Sequence, residues 1–127
     1  METKEKIYHL QANILKALAH PIRIKIVEFL SRGEQCVCKI VPAAGGERTG
    51  VSKHLAILTK AGILSARKKG LFVYYSLKAG CVCNFLSCCE KVISEHFKER
   101  NEINKEIKKT NRYRTKRSKG LLKEIEN

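Results

Sequence analysis

Between Val37 and Leu77 the chain carries two short helical patterns, joined by Gly45-Gly46 and followed at once by an alternating strand pattern with a basic tip. The first helical segment, about Val37 to Ala44, is too short to stand alone. The second runs from about Arg48 to Lys60 and stops at Ala61-Gly62. Leu64-Ser65-Ala66-Arg67 and Leu71-Phe72-Val73-Tyr74-Tyr75-Ser76-Leu77 then read as the strands of a hairpin, with Lys68-Lys69-Gly70 at its tip, because β-branched and aromatic runs bounded by glycine mark strands. Two helices across a glycine turn with a basic hairpin behind them predict a winged helix-turn-helix. In that fold the second helix lies in the major groove of DNA and reads it with its N-terminal residues.

The flanks fit that frame. Ile7, Leu10, Ile14, Leu15 and Leu18 recur at helical spacing. His20-Pro21 breaks the pattern, and Pro21 suits the first turn of a second helix that carries Ile22, Ile26, Val27, Phe29 and Leu30 and ends at Ser31-Arg32-Gly33. Pro42 is awkward inside a helix, so the third helix is expected to start late, near Lys39 to Val41. Cys36 and Cys38 would then lie on its flexible approach. From Val82 to Ile107 one long apolar stripe predicts a single helix, whose simplest covering is its own copy in a dimer. The expected fold class is mostly α with a small β-hairpin, a winged helix-turn-helix that dimerises through its first and last helices. Residues 1–107 form that DNA-binding and dimerisation domain, and 108–127 a basic, flexible tail.

With 127 residues the chain has the length of one domain. No apolar run is long enough to cross a membrane, and Met1-Glu2-Thr3-Lys4-Glu5-Lys6 lacks the apolar stretch of a signal peptide, so the expected location is cytoplasmic. A net charge of +14, from 26 Lys and Arg against 12 acids, points to a polyanionic partner. In the recognition helix the candidate contacts are Arg48, Thr49, Ser52, Lys53 and His54. Arg48 is suited to a guanine edge and Thr49, Ser52 and Lys53 to phosphates. Arg67, Lys68 and Lys69 on the wing would reach an adjacent groove or phosphate. Double-stranded operator DNA and a second copy of the chain are the expected partners.

The six cysteines fall into two clusters, Cys36 with Cys38, and Cys81, Cys83, Cys88 and Cys89. In a reducing compartment such clustering favours metal binding or redox chemistry over a disulfide framework. The pair Cys36 and Cys38 stands ten residues before the recognition helix, which suggests a switch: an agent that binds thiolates alters the hold on DNA.

These residues together resemble the ArsR/SmtB family of metal-responsive repressors. The resemblance rests on Leu15-Lys16-Ala17-Leu18-Ala19-His20-Pro21-Ile22-Arg23-Ile24, on Cys36-Val37-Cys38, on Val51-Ser52-Lys53-His54-Leu55-Ala56-Ile57-Leu58, on Ala61-Gly62-Ile63-Leu64 and on Val73-Tyr74-Tyr75-Ser76-Leu77. It spans about residues 7–97. It implies a dimer that binds operator DNA when metal-free and releases it on binding metal or a thiol-reactive inducer. The Cys-x-Cys resembles the metalloid site of arsenite- and cadmium-responsive members. The chain departs from the family in several places. Val41 stands where arsenite-responsive members often have a third cysteine, the N-terminal arm has none, and Ala79-Gly80-Cys81 and Val92-Ile93-Ser94-Glu95 lack the family's zinc ligands. Glu47 and Gly50 replace the usual Ser and Thr.

Thiolates suit trivalent arsenic or antimony and soft divalent ions such as Cd, Pb or Zn. Trivalent arsenic takes three, so Cys36 and Cys38 are one short. Positions i and i+2 of a regular helix also diverge, so shared ligation needs an extended or unwound start. Cys81, Cys83 and Cys88 are candidates for a third ligand, in the same subunit or the other. Cys88 and Cys89 read more readily as half-buried interface residues. The leading expectation is a repressor released by trivalent arsenic or antimony, with no organic cofactor. A thiol-redox or persulfide sensor of the same fold, or a soft divalent metal sensor, is the alternative. No nucleophile–base pair, phosphate loop or paired carboxylate appears, so an enzyme is not expected. A constitutive, nucleoid-type DNA binder would show no operator preference and ignore thiol ligands.

Overall fold

The computed structural model describes residues 2–97 and the backbone of 101–110, with side chains at 105–109. The described residues form two compact units, one up to Ala79 and one from Gly80 on. The first holds helices α1 (Thr3–Leu18), α2 (Pro21–Leu30), α3 (Val37–Ala44) and α4 (Arg48–Lys60), with strands β1 (Gln35–Cys36), β2 (Leu64–Lys69) and β3 (Phe72–Leu77). The second holds α5 (Cys81–His96) and α6 (Asn101–Thr110).

Local chemistry sets the helix ends. Pro21 opens α2, and the Ile22 amide donates to His20 Nδ1 at 3.1 Å, which satisfies one of the free first-turn donors. Gly45 closes α3 at φ 72°, a left-handed geometry that a side chain resists; this makes the turn between α3 and α4. The core gathers where helices meet sheet. Ile26, Val27, Ile40, Val51, Leu55 and Leu58 are fully enclosed, and α2 packs on α3 and α4 while α4 packs on β2.

The sheet is antiparallel and has three strands in the order β1-β3-β2, one more than the expected hairpin. The extra strand is the two-residue β1, with Gln35 opposite Tyr75 and Cys36 opposite Tyr74. On the other side of β3, Arg67 also faces Tyr74. Directly opposed residues share a face of a sheet, so Cys36, Tyr74 and Arg67 form one row across it. Phe72, two residues from Tyr74, lies on the same face. The hairpin turns at Gly70-Leu71 rather than at Lys68 to Gly70, with Gly70 at φ 63°.

Three expectations change. The third helix begins at Val37, so Pro42 lies inside it. Pro42 has no amide to return to the Cys38 carbonyl, and α3 therefore lacks that hydrogen bond. The Val82–Ile107 stripe does not occupy one helix, because α5 ends at His96 and Phe97 leaves helical geometry at φ −108°, ψ 61°; no Gly or Pro marks the break. Lys108 and Lys109, expected in the tail, close the last turn of α6; the rest of the tail, from residue 111, lies outside the described residues.

Candidate nucleic-acid interface and thiol site

Arg48, Thr49, Ser52 and Lys53 are all exposed and occupy the first turns of α4. Their i, i+1, i+4, i+5 spacing puts them on one helical face, opposite the buried Val51, Leu55 and Leu58. Glu47 holds the N-cap position without a side-chain capping bond, leaving its exposed carboxylate at the positive end of the helix dipole. Lys68 and Lys69 are exposed at the wing.

Two expected DNA contacts are engaged elsewhere. His54 turns inward: its Nδ1 accepts from Arg23 Nε at 3.0 Å, and its ring lies 4.3 Å from that of His20. Arg23 also donates to the Lys16 and Ala17 carbonyls at the end of α1. Burial first, and then the neighbouring His20 and Arg23, lower the His54 pKa and favour the neutral ring that Arg23 requires. Arg67 is clamped by Glu34 through two hydrogen bonds, Nε to Oε2 at 2.7 Å and Nη2 to Oε1 at 2.6 Å. Its guanidinium lies 5.3 Å from the Tyr74 ring centroid. The clamp uses two of the five guanidinium N–H groups.

Cys36 is at once the last residue of β1 and the N-cap of α3. Its Sγ accepts from the Cys38 amide at 3.2 Å. It is buried, whereas Cys38 is exposed. The Cys38 side chain donates a hydrogen bond to the Cys36 sulfur; this chiefly, aided by the Cys38 and Lys39 amides and the Lys39 charge, lowers the Cys36 thiol below its ordinary range despite burial. The same bond raises Cys38. Divergence on a helix, expected from i, i+2 spacing, is avoided because Cys36 is extended at φ −67°, ψ 146°.

A pocket of about 260 Å³ opens beside the pair, lined by Glu34, Gln35, Cys36, Cys38, Lys39, Phe72 and Tyr74. Its aromatic wall and the Glu34–Arg67 clamp escaped the sequence reading. Glu34 stands only two residues before Cys36, but its partner is 33 residues away and nothing local marks it.

The remaining cysteines line α5. Cys81 is exposed, Cys83 buried, and Cys88 and Cys89 half-buried. Burial raises Cys83, with Cys81 adding to it, and burial also raises Cys89, with Cys88 adding to it. Among the described residues no three His, Cys, Asp or Glu side chains are grouped to hold a metal ion.

The sheet edge, glycine turn and exposed basic helix together define a winged helix-turn-helix DNA-binding protein. The model for "Bacterial regulatory protein, arsR family" matches residues 20–66. An HTH-type transcriptional regulator of Mycobacterium tuberculosis is 30% identical over 105 residues, covering 82% of this chain and 92% of that one. The Escherichia coli K12 arsenical resistance operon repressor is 41% identical over 69 residues, 54% of this chain and 59% of its own. A homodimeric winged helix-turn-helix DNA-binding domain from Mycobacterium bovis, a possible ArsR-family regulator, superposes with TM-score 0.67 at 29% identity, over 78% of this chain and 92% of that one. The chain belongs to the arsR family of bacterial transcriptional regulators. Among the described residues no helix is long and apolar enough to cross a membrane.

Proposed function

We propose that the protein is a homodimeric, cytoplasmic repressor that holds operator DNA through α4 and its wing. It lets go when Cys36 and Cys38 capture a thiophilic agent, foremost trivalent arsenic or antimony. The observation that carries this reading is the double duty of Cys36, whose sulfur caps α3 while its backbone pairs with the wing strand β3. An agent that takes this sulfur removes the cap. α3 already lacks its 38–42 bond at Pro42, so its first turn is easily remade. α3 packs on α4, and the recognition face moves with it. Cys81, Cys83 and Cys88 remain candidates for a further ligand, and residues 1–107 the proposed DNA-binding and dimerisation domain.

The dimer reading draws on exposed apolar side chains along two helices: Ile7, Leu10 and Ile14 on α1, and Phe85, Val92 and Ile93 on α5. Stripes of this kind mark protein–protein surfaces. The hydrogen-bonded sulfurs also favour a second reading, disulfide or persulfide chemistry between Cys36 and Cys38, because a thiolate is the attacking species. A soft divalent ion is the third. Fluorescence anisotropy of the reduced protein on its own upstream DNA, at fixed salt, decides between the first two. Release by near-stoichiometric arsenite, lost in Cys36→Ser and Cys38→Ser, supports the metalloid reading. Release only by an oxidant or persulfide donor, undone by reductant, supports the second. DNA binding with no preference for that sequence and no response to any thiol agent overturns the proposal.

A further inference from the structure

α1 is held by its last turn. Ala17 and Leu18 are its buried residues, and from Thr3 to Lys16 the helix is exposed. Between α1 and α4 runs a groove of about 660 Å³, lined by Leu10, Ile14 and Ala17 on one side and by Ile57 and Ala61 on the other, with Arg23 between them. Apolar packing does not lock the two helices along this groove, because an open gap forfeits the contacts of both its walls. Arg23 on α2 bridges them instead. Its Nη1 donates to the Lys16 and Ala17 carbonyls at 3.2 and 3.3 Å, and its Nε donates to His54 Nδ1 on α4 at 3.0 Å. The last carbonyls of a helix are the negative end of its dipole and suit a cation. A planar guanidinium fixes its donors relative to one another, so one rigid group relates the end of α1 to the middle of α4. The imidazole it grips directly follows Lys53 of the exposed basic face. The His20 ring, 4.3 Å away, limits where that imidazole can turn.

We infer that Arg23 is a positioning residue for operator binding: through His54 it sets the angle of α4 against α1, and so the half-site spacing that a dimer joined through α1 accepts. This rests on the dimeric DNA-binding reading above. Two recognition helices must meet major grooves about one helical turn, ~34 Å, apart. α1 has 16 residues, which at 1.5 Å each make a lever of about 24 Å. A tilt of about 10° at its Arg23 end moves the other end by about 4 Å, more than the ~3.4 Å between successive base pairs. Arg23 does this without touching DNA, since its bonds run to α1 and to His54.

The test is fluorescence anisotropy of the reduced full-length protein on duplexes made from its own upstream DNA. One set carries both half-sites, at the native separation or with a base pair or two inserted or removed; another carries a single half-site. Sedimentation of each complex counts the protein copies per duplex. The unaltered protein should prefer one separation. Arg23→Met keeps the stem and loses the fork. It should lower that preference by about tenfold, the equivalent of one hydrogen bond to a charged group, with single-half-site affinity and salt slope unchanged. His54→Leu should do the same, and the double variant should add little to either, as residues that act as a unit do. His54→Gln keeps an acceptor for Arg23 and should retain the preference. A preference that survives both Arg23→Met and His54→Leu overturns the inference and leaves the dimeric reading standing. So does an affinity that falls equally at every separation and on the single half-site, or a His54→Gln variant as indifferent to spacing as His54→Leu. An unaltered protein that binds as one copy per duplex and takes every separation alike overturns both.

Discussion

Arg67 on β2 and Glu34 before β1 form a bidentate ion pair, 2.6 and 2.7 Å, that ties the thiol segment to the wing. Arg67 chiefly, through its hydrogen bonds, holds the Glu34 carboxyl below the usual carboxylate range. The contribution of the pair to stability is therefore present above the unfolded value, about 4.3, and fades as pH falls through the lower folded value.

Glu34→Gln should release the guanidinium toward DNA. Operator affinity should rise at low salt, and the slope of log K against log salt should steepen by about 1.8 for the dimer, one phosphate's worth (about 0.9) per subunit. The same variant should respond more weakly to a thiol ligand. Unchanged slope and unchanged response would show that the clamp plays no part in the switch.

Each thiol of the pair should report on the other. Cys38→Ala removes the donor that stabilises the Cys36 thiolate and should raise the Cys36 titration. Cys36→Ala should bring Cys38 down toward an ordinary thiol. Thiolate absorbance followed against pH, with the α5 cysteines common to all samples, measures both. Two independent, unmoved titrations would contradict the influence of each thiol on the other.

His54 makes stability depend on pH. Its folded pKa lies below the unfolded value of about 6.5, so the unfolded chain binds more protons as the pH falls through that range. Stability should be intact above about pH 6.5 and decline as the pH drops toward the folded value. His54→Gln should flatten that decline in urea melts taken across the range. An equal decline in the variant would assign the effect elsewhere.

The exposed face of α4 should divide by role. Lys53→Ala should weaken binding to operator and unrelated DNA alike, with a slope shallower by about 1.8 for the dimer, about 0.9 per subunit. Arg48→Ala should cost about 1–3 kcal/mol of discrimination at one base pair. Paired anisotropy titrations on operator and scrambled DNA separate the two. Loss of discrimination in Lys53→Ala rather than Arg48→Ala would reverse the assignment.

Leu55 is fully enclosed beneath that face. Leu55→Ala should destabilise the fold by about 2–5 kcal/mol, transfer and cavity terms together, read as a lower urea midpoint at unchanged m. A smaller loss would mean that α4 repacks freely.

What the sequence determined is what depends on near neighbours. The bounds of α4, Arg48 to Lys60, follow from its apolar spacing and from Ala61-Gly62. The turn at Gly45 follows from a residue that tolerates positive φ, and the exposed row Arg48, Thr49, Ser52 and Lys53 from helical periodicity. That Cys36 and Cys38 stand together just ahead of the recognition helix was legible from spacing alone. Tertiary structure decided the rest, because it depends on partners far apart in the chain. A two-residue strand has no pattern of its own, so only the edge of β3 makes Gln35–Cys36 a strand, and only that pairing sets Cys36, Tyr74 and Arg67 in one row. Pro42 argued for a late helix start, yet the Cys36 cap and the burial of Ile40 and Ala44 hold α3 from Val37 onward. Arg67 and His54 look alike in sequence, as basic residues on a DNA-facing segment. Glu34, 33 residues from one, and Arg23, 31 from the other, engage both, since a charge or ring goes to the strongest partner the fold brings near.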